Sequence, residues 1–210
     1  MTGRLKTLGV ALFALLALTA VAASTAGALK YTATSYPATG TGESALGNDT
    51  FTTEAGKVEC KAHYQGSLVA AQSTLTITPM YTNCKAFGFL EATVSTNGCN
   101  YELTTPSETA TDVYSSAVHV RCPSAPILIT AATCKLTIGE QSPGGSVVVT
   151  NNTAAGDVSA KANVTGINYT VTQDGFGCPF AGTGAKTGAT YVQDAAMTVQ
   201  ATNGAKVHLG

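Results

Sequence analysis

Apolar and polar residues alternate with a period of two through most of the sequence after Lys57. In 74–79 and 90–95, every second residue is apolar and its neighbours are threonine, serine or glutamate. Successive side chains of a β-strand point to opposite faces, so this alternation predicts strands with one buried and one solvent-facing side. About eleven such runs, with turns every 8–12 residues and no amphipathic helix after the N-terminal segment, predict an all-β chain. The expected architecture is an antiparallel β-sandwich, Ig-like or jelly-roll-like.

The composition agrees with a β-rich chain. Threonine occurs 34 times, tryptophan is absent, and only 11% of the residues are charged. Threonine and valine favour strands because branching at Cβ suits a pleated surface and is unfavourable in a helix. The same low charge with many small polar residues is also found in disordered chains, but the regular apolar alternation argues against disorder.

Six cysteines provide a second strong constraint. An even number in a chain built for an oxidising compartment predicts disulfides rather than free thiols. Structural zinc sites need pairs separated by two to four residues, whereas the closest cysteines here are 12 positions apart. The six residues are Cys60, Cys84, Cys99, Cys122, Cys134 and Cys178.

Strand parity favours one pairing among the 15 that six cysteines allow. If the strand that begins at Cys99 pairs with the strand that ends at Cys122, the two cysteines lie opposite each other while Tyr101 meets Val120. Directly opposed antiparallel residues have the Cβ separation that a disulfide needs. By analogy we expect Cys60–Cys84, which leaves Cys134–Cys178 to close the longest loop.

The N-terminal segment has the organisation of a signal peptide. Two basic residues precede an uncharged apolar run of 16 residues at 8–23, and small residues follow. That run is shorter than the roughly 20 residues of a membrane-spanning helix. We therefore predict a signal peptide at 1–28, cleaved after Ala28 or alternatively after Ala23, and a secreted mature chain without a membrane segment. An uncleaved membrane anchor is the competing interpretation.

The remainder reads as a loose leader followed by a β domain. Residues 29–56 are rich in glycine, threonine and serine and are expected to form little regular structure. Residues 57–210 form the β domain, either as one unit or as two packed modules at 57–125 and 126–210. The chain after residue 28 carries nine basic and twelve acidic residues, a net charge of −3, which argues against nucleic acid as a partner.

The sequence contains no recognisable catalytic, cofactor-binding or metal-binding pattern. His119 is expected on an outward strand face, with nothing to supply a base and a residue that orients it. His208 lies in the C-terminal tail, and His63 has only an oxidised cysteine nearby. We therefore expect no catalytic residues, no cofactor and no metal ion.

One candidate binding surface is visible. Phe87 and Phe89 share a face opposite to that of Leu90 and the apolar residues that follow it. If the aliphatic face packs into the core, both aromatic rings are exposed and could stack on a sugar or a partner protein. The competing interpretation is a bend at Gly88 that buries them.

Four cysteine-containing motifs resemble those of a known group of proteins. They are Thr76–Cys84, Asn97–Tyr101, His119–Pro123 and Thr133–Ile138. In this context the chain resembles uncharacterised exported proteins that are abundant as paralogues in high-GC Gram-positive soil bacteria. The resemblance covers about residues 57–200 and implies the same three-disulfide β fold. It implies no activity and no functional residues, because the group has none assigned.

Two classes of function remain open. The first is a non-enzymatic secreted or surface protein that binds a cell-wall glycan, another surface protein or its own copies. The second is a small secreted hydrolase whose site is assembled from residues distant in the sequence. A cleft in which titratable groups with shifted pKa values converge would favour the hydrolase, and an exposed aromatic patch would favour binding.

Overall fold

The computed structural model describes residues 28–193 and 196–210, and over these residues the chain is all-β. The predicted signal peptide and its cleavage site after Ala23 lie outside the described residues, and Ala28 stands at their start. Within them, the structure has no helix of the length and hydrophobicity needed to cross a membrane. The strands are β1 (Tyr31–Ala33), β2 (Ala38–Glu43), β3 (Asp49–Thr53), β4 (Gly56–Leu68), β5 (Leu75–Ala86), β6 (Leu90–Ser95), β7 (Asn100–Ala110), β8 (Val113–Arg121), β9 (Ile127–Ala131), β10 (Cys134–Ile138), β11 (Gly144–Asn152), β12 (Asp157–Asp174), β13 (Gly184–Gln193), β14 (Met197–Ala201) and β15 (Val207–Leu209).

Thirteen of the fifteen strands form one antiparallel sheet, in the order β10-β9-β6-β5-β7-β8-β11-β12-β13-β3-β4-β2-β14. β1 and β15 form a separate two-stranded pair. The large sheet closes on itself, because its two end strands β10 and β14 both pair with β12. This arrangement confirms the predicted antiparallel, sandwich-like class, in which inward-facing side chains enclose an interior.

Three long strands, β4, β5 and β12, connect most of the others. β12 pairs with β11 and β10 along one edge and with β14 and β13 along the other. β4 pairs with β2 and β3 along one edge and with β5 along the other. β5 in turn carries β6 and β7 on its remaining edge. Each long strand therefore has two shorter neighbours along at least one edge, and β12 has two along both.

The predicted leader needs correction, and of the two alternatives for residues 57–210 the structure has the single unit. Residues 29–56 hold β1, β2 and β3, which pair with β15, β4, β14 and β13 and are integral to the fold. The inward positions of β2 are Ala38, Gly40 and Gly42. Because these residues carry a methyl group or no side chain, the sequence does not show the apolar–polar alternation that marks a strand. The segments 57–125 and 126–210 share one sheet through the pairs β6–β9 and β8–β11, so they are not separate modules.

The chain has more strands than predicted for two reasons. Three strands come from the supposed leader. The C-terminal part of the chain supplies the others, because β13 and β14 are separate strands and β15 follows them.

The three disulfides have the pairing expected from strand parity: Cys60–Cys84, Cys99–Cys122 and Cys134–Cys178. The first joins β4 to β5, with a Cα–Cα distance of 4.1 Å. In the second, the predicted register is present, since Tyr101 lies opposite Val120 between the paired cysteines. The third ties the start of β10 to the loop that follows β12. No free cysteine remains in the described part of the chain.

Candidate functional site

The interior of the closed sheet contains an apolar cavity of about 190 Å³. Strands from both halves of the chain line it, mostly with aliphatic side chains. Small inward side chains leave this space, notably those of Ala160 and Ala162 on β12, whereas the inward Gly40 and Gly42 face the side chains of Val199 and Met197. Close-packed interiors seldom leave a void larger than a water molecule, so a cavity of this size is a specific feature of the fold.

A polar cluster is set into the otherwise apolar wall. Asp49, at the start of β3, is 1% exposed and accepts hydrogen bonds from the hydroxyls of Ser44, Tyr64 and Tyr191. The Tyr64 hydroxyl lies 2.5 Å from Asp49 Oδ1. Several donors on one carboxylate are the usual way in which a buried charge is stabilised.

Two further tyrosines extend this cluster along the cavity. The Tyr81 and Tyr101 hydroxyls are 2.8 Å apart, and Tyr81 is also hydrogen bonded to Tyr64. The Tyr64 and Tyr81 rings meet edge to face, with ring centroids 6.3 Å apart. A continuous chain of hydroxyls therefore runs from Asp49 through Tyr64 and Tyr81 to Tyr101.

Burial keeps these phenols protonated. Desolvation raises the pKa of Tyr64, Tyr81, Tyr101 and Tyr191 well above the usual value of a tyrosine, and the neighbouring Asp49 charge adds to the effect. A phenol with a raised pKa keeps its proton and acts as a neutral hydrogen-bonding group rather than as a general base. The cluster is therefore suited to holding a polar group rather than to removing a proton.

Gln193 adds an unused donor to the cavity wall. Its side chain is 3% exposed, lines the cavity, and lies opposite Asp49 in the β13–β3 register. Among the described residues, its amide nitrogen has no hydrogen-bond partner. A buried donor without a partner costs about 1–3 kcal/mol, so a molecule that accepts its hydrogen bond would be stabilised there.

The predicted aromatic surface is only partly present. The chain bends at Gly88, which has a φ of 83°, and the bend turns Phe87 onto the core beside Gly56. Phe89 stays on the surface and is 77% exposed. Phe87 and Phe89 therefore do not form a shared exposed face, because Phe87 adopts a positive φ of 55° and breaks the strand alternation.

In the structure, His119 has two polar neighbours that could not be recognised from the sequence. His119 Nδ1 is 2.5 Å from the Ser142 hydroxyl, and His119 Nε2 is 3.7 Å from Glu140 Oε1. The Glu140 carboxylate also accepts hydrogen bonds from Arg121 and from the backbone N–H of Cys122. These two interactions, the backbone one foremost, lower the pKa of Glu140.

The other histidines are not brought together. His63 lies beside Glu43 on the outer face of β4, and His208 belongs to β15, where it pairs with Thr32 rather than forming a tail. Over the described ranges, no three histidine, cysteine or acidic side chains are grouped so as to hold a metal ion.

Comparison with known proteins gives no match to a protein family, to a curated protein or to a solved structure.

The residues of the cavity were not recognised from the sequence. Tyr64, Tyr81 and Tyr101 occupy inward positions of predicted strands, where a tyrosine is normally a core residue. Asp49 lies in the segment read as a leader. The available signal was the presence of several tyrosines at inward positions, which indicates an interior that is polar in one place.

Proposed function

We propose that the protein is an exported, non-enzymatic binding protein that holds a small, mainly apolar molecule inside the closed sheet. The observation that carries this proposal is the apolar cavity of about 190 Å³, with the unpartnered Gln193 amide on its wall. Leaving such a cavity empty costs about 24 cal/mol per Å³, or roughly 4–5 kcal/mol. A bound molecule recovers much of this free energy, which favours a ligand over an empty interior.

The size of the cavity limits the ligand. One water needs about 10–15 Å³ of such space, so the cavity holds roughly 13–19 groups of that size. This corresponds to a molecule with a hydrocarbon body of ten or more carbons. A glycan or a folded partner protein does not fit inside, and would have to bind the outer surface instead.

Export is supported by the chemistry of the cysteines and by the first 28 residues of the sequence. Three disulfides form and persist in oxidising compartments. The charged start, apolar run and small-residue exit of the N-terminal segment supply a route there. A closed sheet that is crosslinked by disulfides is suited to carrying an apolar molecule through an aqueous extracellular space.

The proposal is tested with N-phenyl-1-naphthylamine, whose fluorescence rises in an apolar site. We expect saturable binding of one molecule per chain. Ala160 lines the cavity, and Ala160→Leu should weaken binding at least tenfold while preserving or raising the melting temperature, because the new side chain fills the void. The matched control is Thr198→Leu, at an exposed position on β14, which should leave binding unchanged. Absence of saturable binding, or equal affinity in both variants, would refute the proposal.

Hydrolysis is the second candidate, favoured by the contact between His119 and Ser142. A histidine next to a serine can act as its base, and a carboxylate on the far ring nitrogen can orient it. The engagement of Glu140 with Arg121 and with a backbone N–H weakens this arrangement. Turnover of p-nitrophenyl esters by the intact protein, abolished in Ser142→Ala, would establish the hydrolase and displace the binding proposal as the main activity.

A further inference from the structure

We propose that the cavity selects neutral molecules that carry a hydroxyl group, alcohols or phenols on an apolar body, and that the Tyr101 oxygen accepts a hydrogen bond from that hydroxyl. This inference rests on the proposed function and specifies the chemical class of its ligand.

The direction of the hydrogen bonds in the tyrosine chain follows from Asp49. A carboxylate only accepts, so the Tyr64 hydroxyl donates its single hydrogen toward Asp49, either directly or through the Tyr191 hydroxyl, which also donates to Asp49. The Tyr64 oxygen is then available only as an acceptor, and Tyr81 donates to it. Since Tyr81 has no second hydrogen, Tyr101 must donate to Tyr81. Every hydrogen in the chain is thus directed toward Asp49.

The last member of this chain therefore presents an acceptor to the cavity. Tyr101 lines the cavity, and among the described residues its hydroxyl has Tyr81 as its hydrogen-bond partner. With its hydrogen committed to Tyr81, its remaining lone pairs can accept only from a donor. A molecule with a hydroxyl satisfies this requirement, whereas an ether, ester or hydrocarbon of the same size does not.

Charge makes a further distinction. The Asp49 carboxylate is buried at the other end of the same chain of hydroxyls, in a poorly solvated interior. A ligand carboxylate placed in this cavity would lose its hydration and would be repelled by the Asp49 charge. Fatty acids are therefore disfavoured relative to alcohols of the same chain length. A hydroxyl oxygen can in addition accept from the Gln193 amide, which an alkane cannot do.

The test compares three probes with similar bodies as competitors of N-phenyl-1-naphthylamine. Decan-1-ol and 1-methoxynonane contain the same number of non-hydrogen atoms and are both neutral, but only the alcohol donates. Decanoate supplies the anion. At pH 8 we expect decan-1-ol to bind about five- to tenfold more tightly than the ether, the range expected for one hydrogen bond. Decanoate should bind at least tenfold more weakly than decan-1-ol.

Variants assign the preference to one atom. Tyr101→Phe keeps the ring and removes the acceptor, so it should abolish the preference for decan-1-ol over the ether. Tyr114→Phe is the matched control, because Tyr114 is a buried tyrosine on β8 that does not line the cavity. This control should retain the full preference.

The outcomes separate the inference from the function on which it rests. If the fluorescent probe does not bind at all, the proposed function fails and the inference fails with it. If the probe binds but decan-1-ol and the ether compete equally in the unaltered protein, only the inference is overturned. A preference that persists in Tyr101→Phe would equally overturn the role of Tyr101.

Discussion

Tyr31 shows how a single buried phenol links the fold to pH. Its hydroxyl lies 2.5 Å from the Ser116 hydroxyl in the core, and both residues are buried. Desolvation raises the pKa of Tyr31 to about 12, and the hydrogen bond to Ser116 lowers it only in part. Tyr31 is therefore neutral in the folded protein over a wider pH range than in the unfolded chain.

This shift predicts alkaline destabilisation. In the unfolded chain Tyr31 loses its proton near pH 10, whereas in the folded protein it keeps the proton up to about pH 12. Its contribution is complete below pH 10 and is lost as the pH rises toward 12. From Tyr31 alone, the free energy of unfolding should fall by about 2 kcal/mol over this window. Urea titrations at pH 8, 10, 11 and 12 measure it.

The corresponding control is Tyr31→Phe, which lacks the titrating group. It should be less stable than the unaltered protein at pH 8, because Ser116 loses its partner, and its stability should fall less steeply above pH 10. Equal slopes in the two proteins would show that Tyr31 does not contribute to the alkaline response.

At the level of elements, the C-terminal strand β15 is held by the Asn151 side chain as well as by its pairing with β1. Asn151, at the inward face of β11, donates to Leu209 O at 2.8 Å and accepts from Leu209 N–H at 2.9 Å. The amide side chain thus replaces the backbone of a neighbouring strand. β15 is only three residues long, and it depends on this contact and on its pairing with β1.

Removing the amide should release this end of the chain. In Asn151→Ala, the buried N–H and C=O of Leu209 lose their partner, so we expect the free energy of unfolding to fall by about 1–3 kcal/mol. Amide hydrogen exchange of Leu209 and of β1 should accelerate more than that of β12. Asn168→Ala, at an exposed position, serves as the control. Equal effects of the two substitutions would contradict the role of the Asn151 side chain in holding β15.

The elements differ in how well the sequence predicted them. The β7–β8 register could be predicted because Cys99 and Cys122 fix the parity of both strands. The Asn97–Gly98 pair, a strong hairpin signal, does form a turn with φ values of 52° and 81°. However, β6 and β7 lie along the same edge of β5 and do not pair with each other. A local turn signal specifies the backbone at the turn but not the partner of each strand.

The site was less predictable than the fold. Asp49 and Gln193 are polar residues at inward positions of β3 and β13, where alternation rules predict apolar side chains. Their positions depend on β3 pairing with β13, between segments far apart in the sequence. No local pattern encodes such a pairing, so the cavity and its polar cluster become visible only in three dimensions.

For the whole molecule, the Cys134–Cys178 disulfide closes the longest of the three covalent loops, with a sequence separation of 44. In the chain-entropy account, such a loop stabilises by about 4 kcal/mol, because the crosslink restricts the unfolded chain. We expect the double variant Cys134→Ala/Cys178→Ala to lose about this much free energy of unfolding.

That variant should nevertheless keep its interior. Neither cysteine lines the cavity, whereas Cys60 does. Binding of N-phenyl-1-naphthylamine should therefore persist in the variant at a temperature where it remains folded, as judged by far-ultraviolet circular dichroism. Loss of binding by the folded variant would show that this disulfide also maintains the shape of the cavity.

The closure of the large sheet onto β12 bears on how copies of the protein meet. Isolated edge strands are templates on which further chains add, and this addition leads to fibrils and precipitates. In the part of the chain that the structure describes, the two end strands β10 and β14 each have neighbours on both sides. Growth by strand addition at these ends is therefore blocked. Copies that meet at these two ends must therefore do so through side-chain surfaces rather than through backbone hydrogen bonds.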